Sequence, residues 1–94
     1  MKTIHKHRLA ADNEVQLIKL SPEGIVREVE FVQQERAIYM WVEVPAGSVI
    51  ESNLVERSFR VFRTGDGIPD HAEYVGTTLD VFTPEAYHVY ELTE

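Results

Sequence analysis

A chain of 94 residues, 44% hydrophobic and 27% charged, is long enough for one modest core, too short for two domains, and outside the compositions that stay disordered. It has no cysteine, which excludes disulfide scaffolds, thiolate zinc sites and cysteine nucleophiles. A formal net charge of -7, with basic residues gathered only sparsely at Lys2, Lys6 and Arg8 and at Arg57, Arg60 and Arg63, argues against duplex nucleic acid and anionic membranes as partners.

Along the chain, apolar and polar residues alternate with period two. The first segment, MKTIHKHRLA, has basic residues but no apolar stretch of a signal peptide, and no apolar run approaches the roughly 18 residues of a membrane span. A soluble protein retained in the cell that makes it is expected. Short strands are read at 2–9 and 15–20. Ser21-Pro22-Glu23-Gly24 could open a helix, but Gly24 would fall in the first turn and β-branched and aromatic residues follow. A strand over 25–34 is therefore predicted, with Ile25, Val29 and Phe31 on its apolar face. In RAIYMWVEV, 36–44, Ile38, Met40, Val42 and Val44 share one face and Ala37, Tyr39 and Trp41 the other, as in a central strand covered on both sides. Pro45-Ala46-Gly47 ends it, and ESNLVE, 51–56, reads as a surface connection.

RSFRVFR, 57–63, alternates again: Phe59 and Val61 lie with Arg57 and Arg63, and Phe62 lies with Ser58 and Arg60. The stretch RVFRTGDGIPDHAEYVGT, 60–77, reads as strand, turn, strand, with the bend at Asp66-Gly67 and Ile68-Pro69 set over the core. Strands at 72–78 and 86–92 complete the chain. About seven short, mainly antiparallel strands with no helix predict an all-β fold, a single-domain sandwich or partly open barrel over residues 1–94.

Candidate chemistry is sparse. There is no GxSxG, no GxGxxG, no phosphate loop and no HExxH. Asp66, Asp70 and His71 share one loop, but aspartate is a common turn residue in its own right, so no catalytic residue is assigned. His5 and His7 are spaced to project from one face of a strand, which suits metal ligation, yet scattered histidines are more often solvated or half-buried strand residues; no metal or cofactor is expected. Arg57, Arg60 and Arg63 carry more, because guanidinium groups hold phosphate or carboxylate in two-point contacts and stack on rings. Alternation lets at most two of them face the same way. With Tyr39, Trp41, Asp70 and His71 they form the candidate ligand-binding set.

MKTIHKHRL, Pro22-Glu23-Gly24, YMWVEV, RSFRVFRTGDGIPDHAEYVGT and YHVYE, in that order, resemble a family of small proteins of unknown function encoded by tailed bacteriophages and prophages. His5 and His7 stand where aromatics are expected, Tyr87 where tryptophan is common, and Arg63 where a glycine usually precedes Thr-Gly. The resemblance implies an accessory protein in the cytoplasm of the infected bacterial host and carries over no catalytic residues. Two functions are then expected. One is a non-enzymatic binding protein that sequesters a small anionic nucleotide or blocks a host protein, as in counter-defence. The other is a virion or assembly component acting by homo-oligomerisation through strand edges or the Tyr39–Trp41 face. A small hydrolase ranks third.

Overall fold

The computed structural model describes residues 1–47 and 53–93, so the start of the predicted 51–56 connection lies outside the described residues. Seven strands form: β1 (Lys2–Ala10), β2 (Gln16–Leu20), β3 (Ile25–Val32), β4 (Ala37–Pro45), β5 (Val55–Arg63), β6 (Glu73–Asp80) and β7 (Glu85–Leu92). They pair antiparallel in two sheets, ordered β1-β4-β3 and β2-β5-β7-β6, which face each other without closing into a barrel. The all-β sandwich is the fold that the alternation predicts. No α-helix occurs among the described residues.

The core lies between the sheets. From the three-stranded sheet come Leu9, Val29, Phe31, Ile38, Met40, Val42 and Val44; from the other come Leu20, Phe59, Val61, Tyr87 and Val89. The Phe31 and Tyr87 rings stack across the gap, centroids 5.3 Å apart. Strand β4 is central in its ladder as expected, but no second layer covers its other face, and Tyr39 and Trp41 remain partly exposed. Ile25 departs from the predicted face. A bulge between Val26 and Glu28 inserts Arg27 and reverses the phase, so Val26 turns inward beside Val42 while Ile25, 49% exposed, turns outward opposite Glu43.

On one side of the sandwich the Gln16 side chain of β2 accepts from the Ala10 N–H of β1 at 2.8 Å and donates to the Ala10 carbonyl at 2.9 Å; on the other side the edge strands β3 and β6 meet. There the Phe31 N–H donates to the Thr78 hydroxyl at 2.8 Å. A bulge between Tyr74 and Gly76 brings Gly76 so close to β3 that a Cβ there would lie 2.7 Å from Val29 Cγ2. Just beyond, the β3–β4 turn is fastened to the β6–β7 turn: Asp80, wholly buried, accepts from Arg36 at 3.0 Å and from the Thr83 hydroxyl at 2.8 Å. Arg36 holds a left-handed backbone, φ 49°, and lies over the Phe31 ring.

The 60–77 stretch differs from its expected hairpin. Strand β7 lies between β5 and β6, so residues 64–72 cross over the end of the sheet. The bend falls at Thr64-Gly65: Gly65 takes φ 97° and the Asp66 N–H donates to the Arg63 carbonyl at 3.0 Å. A second turn closes from Ala72 N–H to the Pro69 carbonyl. Ile68 is only half-buried and Pro69 exposed, so neither joins the core.

The close approach at Gly76 sets a first prediction. Gly76→Ala destabilises the fold by about 1–3 kcal/mol through overpacking against Val29. Chemical denaturation of Gly76→Ala, Val29→Ala and the double variant measures the coupling; strictly additive losses would show that the Val29 contact is not the cause.

Candidate functional site

The three arginines of β5 have three different surroundings. Arg57 faces inward at one end of the sandwich and is fully engaged. Its Nε and Nη2 donate to the two carboxylate oxygens of Glu91 at 2.7 and 2.8 Å, and its Nη1 donates to the carbonyls of Gly24 and Ser21 at 2.8 and 3.2 Å. The Glu91 bonds raise its pKa against the opposing effect of burial. Arg57 thus binds the Ser21–Gly24 turn to β7 with four of its five N–H donors.

Arg60 points from the outer face of the four-stranded sheet and lies over the Phe62 ring, 4.9 Å from its centroid. With Tyr90 and Tyr74 meeting edge to face behind it, this cluster buries Phe62 on the side of the sheet away from the core. The Nε of Arg60 is buried without a hydrogen-bond partner.

Arg63 borders a cleft of about 330 Å³ at the opposite end of the sandwich from Arg57. The floor is Val61 and Tyr87, core residues of the inner face that are nearly buried; the walls are Ala11, Asp12 and Asn13 of the β1–β2 loop and Asp66 of the turn after β5. Both wall carboxylates are already engaged in shaping the loops. Asp66 accepts from the Arg63 N–H at 2.8 Å, and Asp12 accepts from the Glu14 N–H at 3.0 Å. The Arg63 guanidinium lies 6.0 Å from the centroid of the Tyr87 ring and makes no ion pair among the described residues. It is therefore a cation on a concave, half-apolar surface with its donors free.

The other predicted site residues lie elsewhere. Asp70 and His71 sit exposed in the second turn of the 64–72 crossing. Tyr39 and Trp41 stand on the outer face of the three-stranded sheet, rings tilted at 6.3 Å. The seven residues therefore do not converge, and Arg63 alone contributes to the cleft. Its companions, Asp12 and Asn13, carried a legible turn signal but no functional one.

His5 and His7 do share a face, and it is the inner one, at the side between β1 and β2. They line a cavity of about 110 Å³ with Lys19, Leu20, Ser21, Val44 and Leu54. Among the described residues no group of three or more histidine, aspartate or glutamate side chains is placed to hold a metal ion. Burial holds the His7 pKa below its ordinary value, and the neighbouring His5 adds to the effect. No helix of the structure is long and apolar enough to cross a membrane.

The chain belongs to the family described as Domain of unknown function (DUF7352), whose model matches residues 1–94. No curated protein and no solved structure matches it.

The lowered His7 pKa fixes a sign. The unfolded chain, with an imidazole pKa near 6.5, binds a proton more readily than the folded one, so stability falls as pH drops below about 6.5. His7→Gln flattens that slope. Urea unfolding of both proteins at about pH 7.5 and about pH 5.5 checks this, and an unchanged slope would count against His7 as the group responsible.

Proposed function

We propose, for a chain whose family carries no assigned activity, that it is a binding module whose end cleft takes a small ligand through one anionic group, without turning it over. What supports the reading is a single observation: Arg63 lies over Tyr87 at the mouth of the cleft with no ion pair among the described residues, while the nearby carboxylates Asp66 and Asp12 are occupied by backbone N–H groups.

The lining narrows the ligand class. Guanidinium donors suit a carboxylate or a phosphate in two-point contact. Two aspartates on the walls oppose a dense polyanion by like-charge repulsion and favour a ligand that also offers hydrogen-bond donors. Val61 and Tyr87, nearly buried, supply the small apolar part of the floor. A cyclic or monophosphate nucleotide fits this description: one anionic group, a ring, and amino or hydroxyl donors. The cleft volume, about 330 Å³, is at the small end of ligand pockets, roughly 300–1,000 Å³, and matches one nucleoside unit better than a dinucleotide. The resemblance to small phage-encoded proteins supports a setting in an infected bacterial cell, where such a module withdraws a nucleotide signal from host defence.

Calorimetric titration with cyclic and linear mononucleotides, ADP-ribose and simple carboxylates tests the reading. A ligand of this class binds, and Arg63→Ala weakens it roughly 10–100-fold, as loss of a charge-assisted contact does. Arg60→Ala leaves the affinity unchanged. The reading fails if nothing in the panel binds, or if Arg63→Ala binds as well as the parent chain.

A further inference from the structure

The outer face of the three-stranded sheet has an order that no single strand displays. Register across β1, β4 and β3 builds it in rows. Arg8, Tyr39 and Glu30 stand side by side, and so do Lys6, Trp41 and Glu28. Above and below, the apolar row Ala10-Ala37-Val32 and the row Ile4-Glu43-Ile25, with an ion-paired carboxylate between two isoleucines, close the face. The result is a cationic strand, an aromatic strand and an acidic strand, in parallel stripes.

The stripes are unequally satisfied. Lys6 leans onto the Tyr39 ring, 4.8 Å from its centroid, and the Tyr39 hydroxyl donates to Glu35 at 2.6 Å, which raises the Tyr39 pKa; Arg8 lies 3.9 Å from the same carboxylate, a long and exposed ion pair. Glu43 is held by Arg27 and Lys2 at 3.1 and 3.5 Å. Glu28 and Glu30, both exposed, have no ion pair among the described residues. A net-negative protein thus keeps two unpaired carboxylates in line with two of its few cations, separated only by an aromatic strip.

We infer that this face pairs with a second copy of the chain, about a two-fold axis that lies in the interface along β4. That axis is fixed by charge. Rotation about it keeps each row at its own height and reverses its direction, so Arg8 meets Glu30 of the second copy, Lys6 meets Glu28, and Tyr39 and Trp41 meet their own counterparts. An axis across the strands would instead lay the cations of β1 on those of the other β1. An isologous contact needs a self-complementary patch, and the Arg8 and Lys6 rows supply it, while Glu43, which meets its own counterpart, is already neutralised by Arg27 and Lys2. The aromatic strip supplies the burial, with Tyr39 already held by Glu35 and Lys6, so little side-chain freedom is lost on contact. The charges select the orientation more than they add affinity. With strands about 4.8 Å apart and about 6.8 Å between same-side residues, four rows on three strands cover roughly 400 Å² per copy, which places the pair among weak interfaces, below about 1,200 Å² in total. Association in the micromolar to millimolar range follows. The inference is independent of the Arg63 cleft, which lies between the sheets.

Sedimentation equilibrium across that concentration range, with circular dichroism to confirm folding, tests it. The parent chain shows reversible dimerisation that weakens with salt. An all-cationic face, Glu28→Lys with Glu30→Lys, and an all-acidic face, Lys6→Glu with Arg8→Glu, each remain monomeric. Mixed in equal amounts, the two variants associate with each other, and the chain carrying all four exchanges dimerises again. A parent chain that stays monomeric at millimolar concentration overturns the inference. So does dimerisation of either single-sign variant at parental strength, failure of the folded variants to associate on mixing, or growth beyond a dimer. If a single-sign variant does not fold, the four-exchange chain decides alone: recovery supports the axis, and a folded monomer refutes it.

Discussion

The N–H of Phe31 and the hydroxyl of Thr78, 2.8 Å apart at the seam between β3 and β6, fix the relation between the two sheets. A sandwich of two antiparallel sheets has four edges, and here two of them meet so closely that a Cβ at position 76 would force Val29 to shift. The same corner carries the Asp80 node. Burial by itself would raise the pKa of that carboxyl, but the Thr83 hydroxyl, the Phe82 N–H and Arg36 together outweigh it and hold it below the usual carboxylate range. A depressed carboxylate pKa means that the node contributes stability above the unfolded value, about 3.9, and loses it as pH falls through the folded one. On the other side β1 and β2 are tied through the Gln16 side chain, not by a ladder. The His5–His7 cavity opens between β1 and β2, and the Arg63 cleft opens under the loop that connects them.

Position decides what each cation of this acidic chain is free to do. Arg57 and Arg63 lie on the same face of β5, six residues apart, and were equivalent by pattern. Arg57 ends among the carboxylate of Glu91 and two carbonyls, where a side chain only 18% exposed is held by four hydrogen bonds. A group so fixed is structural, because releasing it would leave a buried carboxylate and two carbonyls unsatisfied, a loss of several kcal/mol. Arg63 is the last residue of β5, paired with Tyr87, and makes no ion pair among the described residues. Among the described residues its close side-chain partner is a ring, and an exposed cation–ring contact is worth about 0.5–1 kcal/mol, little enough for a ligand to displace or extend it.

Alternation made the strands and most of the core legible. Strand β4 reads directly: Ile38, Met40, Val42 and Val44 are buried to the last residue. What failed were the places where a single residue changes phase or sign. Nothing in IVREVEFV marks Arg27 as the extra residue of a bulge, so Ile25 was placed inward. Arg36 adopts a left-handed backbone that glycine or asparagine would announce; it is tolerated because the guanidinium reaches Asp80, 44 positions along the chain. The insertion of β7 between β5 and β6 is a fact of pairing, which local pattern does not contain. The candidate sites were illegible for the same reason. Asp12 joins Arg63, and Lys6 joins Glu28, only through register between strands far apart in sequence.

Exposed strand edges invite indiscriminate association, and the way this fold treats them bears on the proposed pairing. At the seam both edge strands are bulged, β3 at Arg27 and β6 near Gly76, which twists their unpaired groups away from a straight template. On the other side β2 is only five residues long, and β1 carries Lys2, Lys6 and Arg8 along its length. Short, charged and bulged edges resist extension of either ladder by a neighbouring chain. With the edges so defended, contact between copies is directed to a face. The outer side of the four-stranded sheet is occupied by its own lattice of contacts, Arg60 over Phe62, Tyr90 against Tyr74 and His88 between Thr64 and Thr77. The outer side of the three-stranded sheet keeps Trp41 partly bare and leaves Glu28 and Glu30 without an ion pair among the described residues, which is what the proposed pairing uses.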